Sequence, residues 1–216
     1  GTTWKSVTVA NWSNFSTKTD GTLWSWGYNH IGQLGVNDKT HRSSPTQIPG
    51  TTWDTVYSGN YVMFATKTDG TLWTWGNNTS GTLGQNNRTR YSSPVQIPGT
   101  TWKKSTGSEK SAGALKTDGT LWVWGLNQQG VFGTNNATDA SSPVQVPGTT
   151  WNELASNSYN MYASKTDGTL WAWGNNDEGQ LGQNNRTTYS SPIQIPGKNT
   201  SFVSCGALYG KAFVED

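Results

Sequence analysis

The chain holds a single cysteine, Cys205, among its 216 residues. An intrachain disulfide and a cysteine-based zinc site are therefore excluded. Charge is also sparse: 15 Lys and Arg face 13 Asp and Glu, scattered, for a formal net charge of +2. No basic stripe of the kind that grips nucleic acid stands out, so no nucleic-acid partner is expected. The two histidines, His30 and His41, lack the further ligands that a zinc centre needs. No metal and no cofactor are expected. No apolar run reaches the roughly 18 residues of a membrane-spanning helix, so no membrane insertion is expected. The opening Gly1-Thr2-Thr3-Trp4 shows neither the positive charge nor the apolar stretch of a secretion signal. A sustained helical period is missing throughout.

Tryptophan and glycine are what the chain has in excess, 13 and 26 residues respectively. Indole rings supply large buried area and glycines supply tight turns, which suits many short strands. The excess is periodic. Asp20, Asp69, Asp118 and Asp167 all stand in Thr-Asp-Gly-Thr-Leu-Trp, each 49 residues from the next. Trp4, Trp53, Trp102 and Trp151 keep the same spacing, as do Pro49, Pro98, Pro147 and Pro196. The chain divides into repeats 1–49, 50–98, 99–147 and 148–196 with a partial fifth, 197–216, forming one repeat domain over 1–216. Within each repeat, Asp-Gly marks a tight hairpin. Leu-Trp-Xaa-Trp-Gly then reads as a strand with both indoles on one face. A Gly-rich loop follows, and Ser-Ser-Pro-Xaa-Gln-Ile/Val-Pro reads as an edge strand because proline cannot donate to a ladder. Short strands at this repeat length predict an all-β fold, a β-propeller built from 49-residue blades.

Trp-Gly-Xaa-Asn-Xaa-Xaa-Gly-Xaa-Leu-Gly runs from Trp26 to Gly35 and again from Trp75 to Gly84. It returns from Trp124 to Gly133, with Phe132 for the leucine, and from Trp173 to Gly182. With the upstream Thr-Asp-Gly-Thr-Leu-Trp, it resembles the repeat of the regulator of chromosome condensation family. That resemblance implies four-stranded blades around an axis. Its members include a nucleotide-exchange factor for a small GTPase and a secreted β-lactamase inhibitor, so the implied common trait is a surface that grips another macromolecule, with the target open. The histidine that the family places before the Asp-Gly turn is here Ser13, Val62, Ser111, Asn160 and Tyr209.

The repeats diverge in one place, between the opening tryptophan and the Asp-Gly turn. The segments there hold Asn11 and Trp12; Asn60, Tyr61 and Met63; Glu109 and Lys110; Tyr159, Met161 and Tyr162; Leu208 and Tyr209. A propeller brings equivalent positions to one ring, and Trp, Tyr and Met are favoured contact residues. These twelve are the expected binding residues of a composite face; the competing expectation is packing along the axis. The Trp-Xaa-Trp pairs are expected to pack between blades, and the repeated Asp to serve the turn rather than calcium, which needs six to eight oxygens gathered together. Cys205 is read as a small buried hydrophobe. No nucleophile elbow, phosphate loop or zinc-protease signature occurs, so no catalytic residue is assigned and an enzyme is not expected. The expected function is a binding module for a protein or cell-surface receptor. A lectin with one site per blade and a structural repeat of a fibre or surface layer are the alternatives. The expected partner is a protein or glycan on a surface, with a homo-oligomer formed by blade completion also open. An extracellular, virion or cell-surface location suits this reading.

Overall fold

The computed structural model describes residues 3–197. They form four antiparallel four-stranded sheets, each drawn from consecutive strands. The first blade contains β1 (Thr8–Ala10), β2 (Ser13–Thr17), β3 (Leu23–Gly27) and β4 (Arg42–Ile48). The second contains β5 (Trp53–Gly59), β6 (Val62–Lys67), β7 (Leu72–Gly76) and β8 (Tyr91–Ile97). The third contains β9 (Trp102–Gly107), β10 (Ser111–Lys116), β11 (Leu121–Gly125) and β12 (Ala140–Val146). The fourth contains β13 (Trp151–Ser156), β14 (Asn160–Lys165), β15 (Leu170–Gly174) and β16 (Tyr189–Gln194). The first strands of successive blades neighbour one another along the inside, and the Ser-Ser-Pro strands are outermost. This is the propeller architecture expected from the repeat. The partial fifth repeat, with Cys205, Leu208 and Tyr209, lies outside the described residues beyond Gly197.

The Asp-Gly turn explains its own motif. Gly21 N–H bonds Lys18 O at 3.0 Å, and only the glycine of Asp20-Gly21 takes a positive φ, +77°. The Asp20 carboxylate accepts the backbone N–H of Thr22 at 3.0 Å and its hydroxyl at 2.7 Å, as an Asx turn does. That hydroxyl in turn accepts the Trp24 indole N–H at 2.9 Å. The same relay recurs at Asp69, Asp118 and Asp167. The aspartate therefore serves the turn. In all four, the threonine hydroxyl first, and its N–H second, holds the carboxyl below the ordinary value of 3.8. A carboxyl lowered by folding stabilises the native state above its unfolded value, and that contribution is lost as pH falls through the native one. Unfolding midpoints should therefore be flat from neutrality down to about pH 4 and drop below it. Denaturation of a variant with all four aspartates changed to Asn should show a shallower acid limb.

The second tryptophan of each pair joins blades. The pairing register skips one residue of the third strand, at Trp26, Trp75, Trp124 and Trp173. This bulge interrupts the tryptophan's pairing with the outer strand, while it stays paired to the second strand. Trp75 donates to Gln33 O at 2.9 Å, Trp124 to Thr82 O at 2.7 Å and Trp173 to Val131 O at 2.8 Å, each in the preceding blade. All three are fully buried. Pro45 and its counterparts fall opposite the bulge, where a missing donor costs no ladder bond. Each opening tryptophan packs near both members of its pair, as Trp53 does with Trp73 at 6.0 Å and Trp75 at 6.3 Å. Lys67 lies over Trp53 and Trp73, and the other three blades repeat this cation–π contact.

The asparagine of the Gly-rich loop is a clamp. Asn29, Asn78, Asn127 and Asn176 are buried. Each Oδ1 accepts a backbone N–H five residues on, at Leu34, Leu83, Phe132 and Leu181. Each Nδ2 donates to a carbonyl nine residues on, at Asp38, Asn87, Asn136 and Asn185. One side chain thus fixes both arms of a loop that carries little regular structure of its own.

Candidate functional site

Four hairpins connect the first and second strands of the blades, all at the same end of the sheets. Their tips are the divergent residues. Each tip has the same backbone anchor. Tyr28 N–H bonds Trp12 O at 2.8 Å, Asn77 N–H bonds Tyr61 O at 3.0 Å, Leu126 N–H bonds Lys110 O at 2.8 Å, and Asn175 N–H bonds Tyr159 O at 3.0 Å. Gly27, Gly76, Gly125 and Gly174 make this possible, since a Cβ at any of them would run into that carbonyl. The carbonyl is held alike in every blade, so the side chain above it can change without disturbing the scaffold.

Trp12 is the most exposed large hydrophobic residue described, at 75 %. Its φ is +63°, a left-handed conformation that is unusual for a bulky side chain. Nothing in the packing calls for an indole there. Beside it, Tyr28 stacks on His41 at 4.7 Å and lies 6.1 Å from His30. His41 Nδ1 accepts the Asn29 N–H at 2.9 Å, which places the ring. This Tyr–His cluster was not foreseen. The sequence signal was the presence of both histidines and Tyr28 in one repeat, which metal-ligand spacing did not reveal.

The tips of the second, third and fourth blades touch. Asn60 Nδ2 donates to Glu109 Oε2 at 3.4 Å. The Lys110 ammonium donates to the Tyr159 hydroxyl at 2.8 Å and lies 4.5 Å from its ring centroid. Asn11, Trp12, Asn60, Glu109 and Tyr159 are exposed, and Tyr61 and Lys110 are half-buried. Among the described residues, no three His, Cys, Asp or Glu side chains gather as a metal site would need.

Three of the expected contact residues lie elsewhere. Met63, Met161 and Tyr162 are buried, at 0 %, 0 % and 1 % exposure. Met63 packs into the cluster between the first and second blades, and Met161 into that between the third and fourth. Tyr162 donates to Gln180 O at 3.0 Å. The second strand of a blade is covered on both faces, so the alternation that exposes every other residue of a surface strand does not apply. These three belong to the scaffold. The candidate face is left with the hairpin tips and the Tyr28 cluster, while Leu208 and Tyr209 are outside the described residues.

A family model described as the regulator of chromosome condensation (RCC1) repeat matches residues 20–65, 69–107, 118–155 and 167–209. A second model of the same description matches residues 152–180. No curated protein matches the chain by sequence. Among solved structures, human WBSCR16 is similar at 20% identity and a TM-score of 0.86, over 99% of this chain and 58% of that one. Prp20p from Saccharomyces cerevisiae, reported with its binding to Gsp1p and histones, is similar at 18% identity and a TM-score of 0.82, over 95% and 54%. Yeast RCC1 (Prp20) in complex with Kap60 gives 18%, a TM-score of 0.79, and 95% and 52%. The chain spans a little over half the length of these structures, and at such identities the likeness is one of fold.

Proposed function

The chain belongs to the regulator of chromosome condensation repeat family, and on that footing we propose that it is a non-catalytic module that binds a protein partner through its hairpin-tip face. The carrying observation is Trp12: an indole 75 % exposed, in a left-handed backbone conformation, at a position where the four blades offer Trp, Tyr, Lys and Tyr on an identical anchor. A strained residue without a packing role is a reasonable mark of function. Tyr28 beside it, and Tyr61 and Tyr159 at the equivalent tips, add amphipathic rings, and the Asn60–Glu109 and Lys110–Tyr159 contacts join the tips of the second, third and fourth blades. Aromatic anchors within a polar rim are the composition of a protein-recognition patch. That structural relatives are reported with Gsp1p, histones and Kap60 supports a protein as the partner class. A receptor displayed on a surface is the finer form of this proposal.

The test compares protein capture by the native chain with capture by a Tyr61→Ala/Tyr159→Ala variant. Loss of a captured protein with an unchanged unfolding curve supports the face. Undiminished capture by the variant, or its failure to fold, overturns it. A glycan array run with the native chain reads the carbohydrate alternative: several equivalent weak sugar sites would move the assignment to a lectin.

A further inference from the structure

Pro-Gly-Thr-Thr-Trp stands three times where one blade leads into the next, at 49–53, 98–102 and 147–151. The same hydrogen bonds bracket each copy. Trp53, Trp102 and Trp151 donate their backbone N–H to the carbonyls of Gly21, Gly70 and Gly119. The carbonyls of Thr52, Thr101 and Thr150 accept the N–H of Thr68, Thr117 and Thr166. Between these bonds the third copy differs. Thr52 and Thr101 take φ of +66° and +68°, an outlying conformation for a β-branched residue, and Thr150 does not. A Cβ at Gly21 or Gly70 would meet the backbone N of Thr52 or Thr101 at 3.1 Å, whereas one at Gly119 would run into the Thr149 carbonyl oxygen. The peptide between Thr149 and Thr150 is therefore inverted. Thr52 and Thr101 bond their hydroxyls to the carbonyls of Thr51 and Thr100, while the Thr150 hydroxyl has no partner among the described residues. The Trp151 indole reaches Pro147 O at 3.2 Å, and those of Trp53 and Trp102 are buried without an acceptor among the described residues.

Beside the inverted peptide, at the end of the sheets opposite the hairpin tips, lies a solvent-open cavity of about 210 Å³. Lys103 and Lys116 line it together with Asp118, Thr149, Thr150 and Asn152. The junction between the first two blades shows what a lysine at this strand position binds: Lys5 pairs with the Asp54 carboxylate at 2.9 Å. Between the third and fourth blades, Lys103 stands in the place of Lys5 and Asn152 in the place of Asp54. Lys103 there reaches only neutral oxygens, Asn152 Oδ1 at 3.2 Å and Asn152 O at 3.5 Å. No described carboxylate lies within ion-pair distance of Lys103 or Lys116. The Lys116 ammonium rests over the rings of Trp102 and Trp122, at 4.7 and 4.8 Å. Asp118 commits one oxygen to the N–H and hydroxyl of Thr120.

We infer that this cavity binds a small carboxylate, which supplies at the last junction the charge that Asp54 supplies at the first. Lys103 gives the charge-assisted hydrogen bond, the free Thr150 hydroxyl a second donor, and Lys116 a further positive field. The inverted peptide contributes by releasing that hydroxyl and by turning the Thr150 N–H away from Gly119. Asn152 leaves the place vacant for a ligand, since an aspartate there would close it from within. Lys103 is exposed and Lys116 half-buried, so solvent screens both charges and the binding is weak. The site is separate from the hairpin-tip face and does not depend on what that face binds.

Amide resonances of the isotopically labelled full chain, titrated with sodium succinate at an ionic strength held constant by sodium chloride, read this directly. The Thr149, Thr150 and Asn152 amides should shift and saturate, while those of their counterparts Thr51, Thr52 and Asp54 stay in place. Asn152→Asp should weaken the response about tenfold or more, the worth of a hydrogen bond to a charged group. It should leave the unfolding curve unchanged or move it upward, because it rebuilds the pair that Lys5 and Asp54 make. Lys103→Met, at an exposed position, should weaken the response as much. A shift that does not saturate, an equal shift with chloride alone, or a response undiminished in either variant would overturn the inference.

Discussion

Trp124→Ala should destabilise the protein by about 3–5 kcal/mol, the cost of emptying a buried tryptophan site. The residue is fully buried, donates to Thr82 O and meets Phe64 edge-on at 6.2 Å. Removing it leaves a cavity and a buried carbonyl without its donor, and the latter alone costs about 1–3 kcal/mol. Trp124→Phe keeps most of the ring and loses the N–H, so it should cost less, at about the 1–3 kcal/mol of the stranded carbonyl. Trp26→Ala is the internal control. Trp26 has the same sequence context but only partial burial and no carbonyl partner among the described residues, and it should cost under ~1.5 kcal/mol. Trp124 also stands at the middle junction. Chemical denaturation of Trp124→Ala should therefore separate into two steps, because a repeat array stays cooperative only while its nearest-neighbour interfaces are strong. Equal costs for Trp26→Ala and Trp124→Ala would refute the account of the indole as an inter-blade tie.

Trp12→Gly should do the reverse. Stability should hold or rise by up to ~1 kcal/mol, since glycine relieves a left-handed conformation that costs other residues about 1–2 kcal/mol. Binding of the protein partner should fall by at least ~2 kcal/mol, roughly thirtyfold, as for a central aromatic anchor. Calorimetric unfolding and a binding titration on the same preparation separate the two effects. A destabilised Trp12→Gly would show that the indole supports the hairpin, and unchanged binding would remove it from the face.

The repeat made much of the scaffold legible. Trp75 and Trp124 announced themselves by recurrence, and recurrence with a following glycine pointed to packing between blades. The sequence did not disclose how that glycine works. Gly76 admits the bond from Asn77 to the Tyr61 carbonyl, and so serves the variable tip as well as the tryptophan before it. Asn78 was visible as a repeated letter without a role, because its partners lie five and nine residues away in a loop with no period to read. Divergence marked the hairpin tips, but it also swept in Met63 and Tyr162. Side chains between blades can differ as long as their immediate neighbours accommodate them, so variation alone does not separate surface from core. Tyr28 and His41 escaped notice for a related reason: they meet across a loop, and neither spacing nor residue type announces a stacked pair.

The junction between blades has one more consequence, at the level of the gene. Its principal hydrogen bonds link residues 42 or 55 positions apart, and the described contacts run from each blade to its neighbour. A crossover between misaligned repeats, deleting or duplicating 49 residues in phase, would bring together surfaces that already fit. Such an event would change the number of hairpin tips without requiring a single compensating substitution. The population of alleles could then explore wider and narrower recognition faces by copy number first and by point mutation at the tips afterwards.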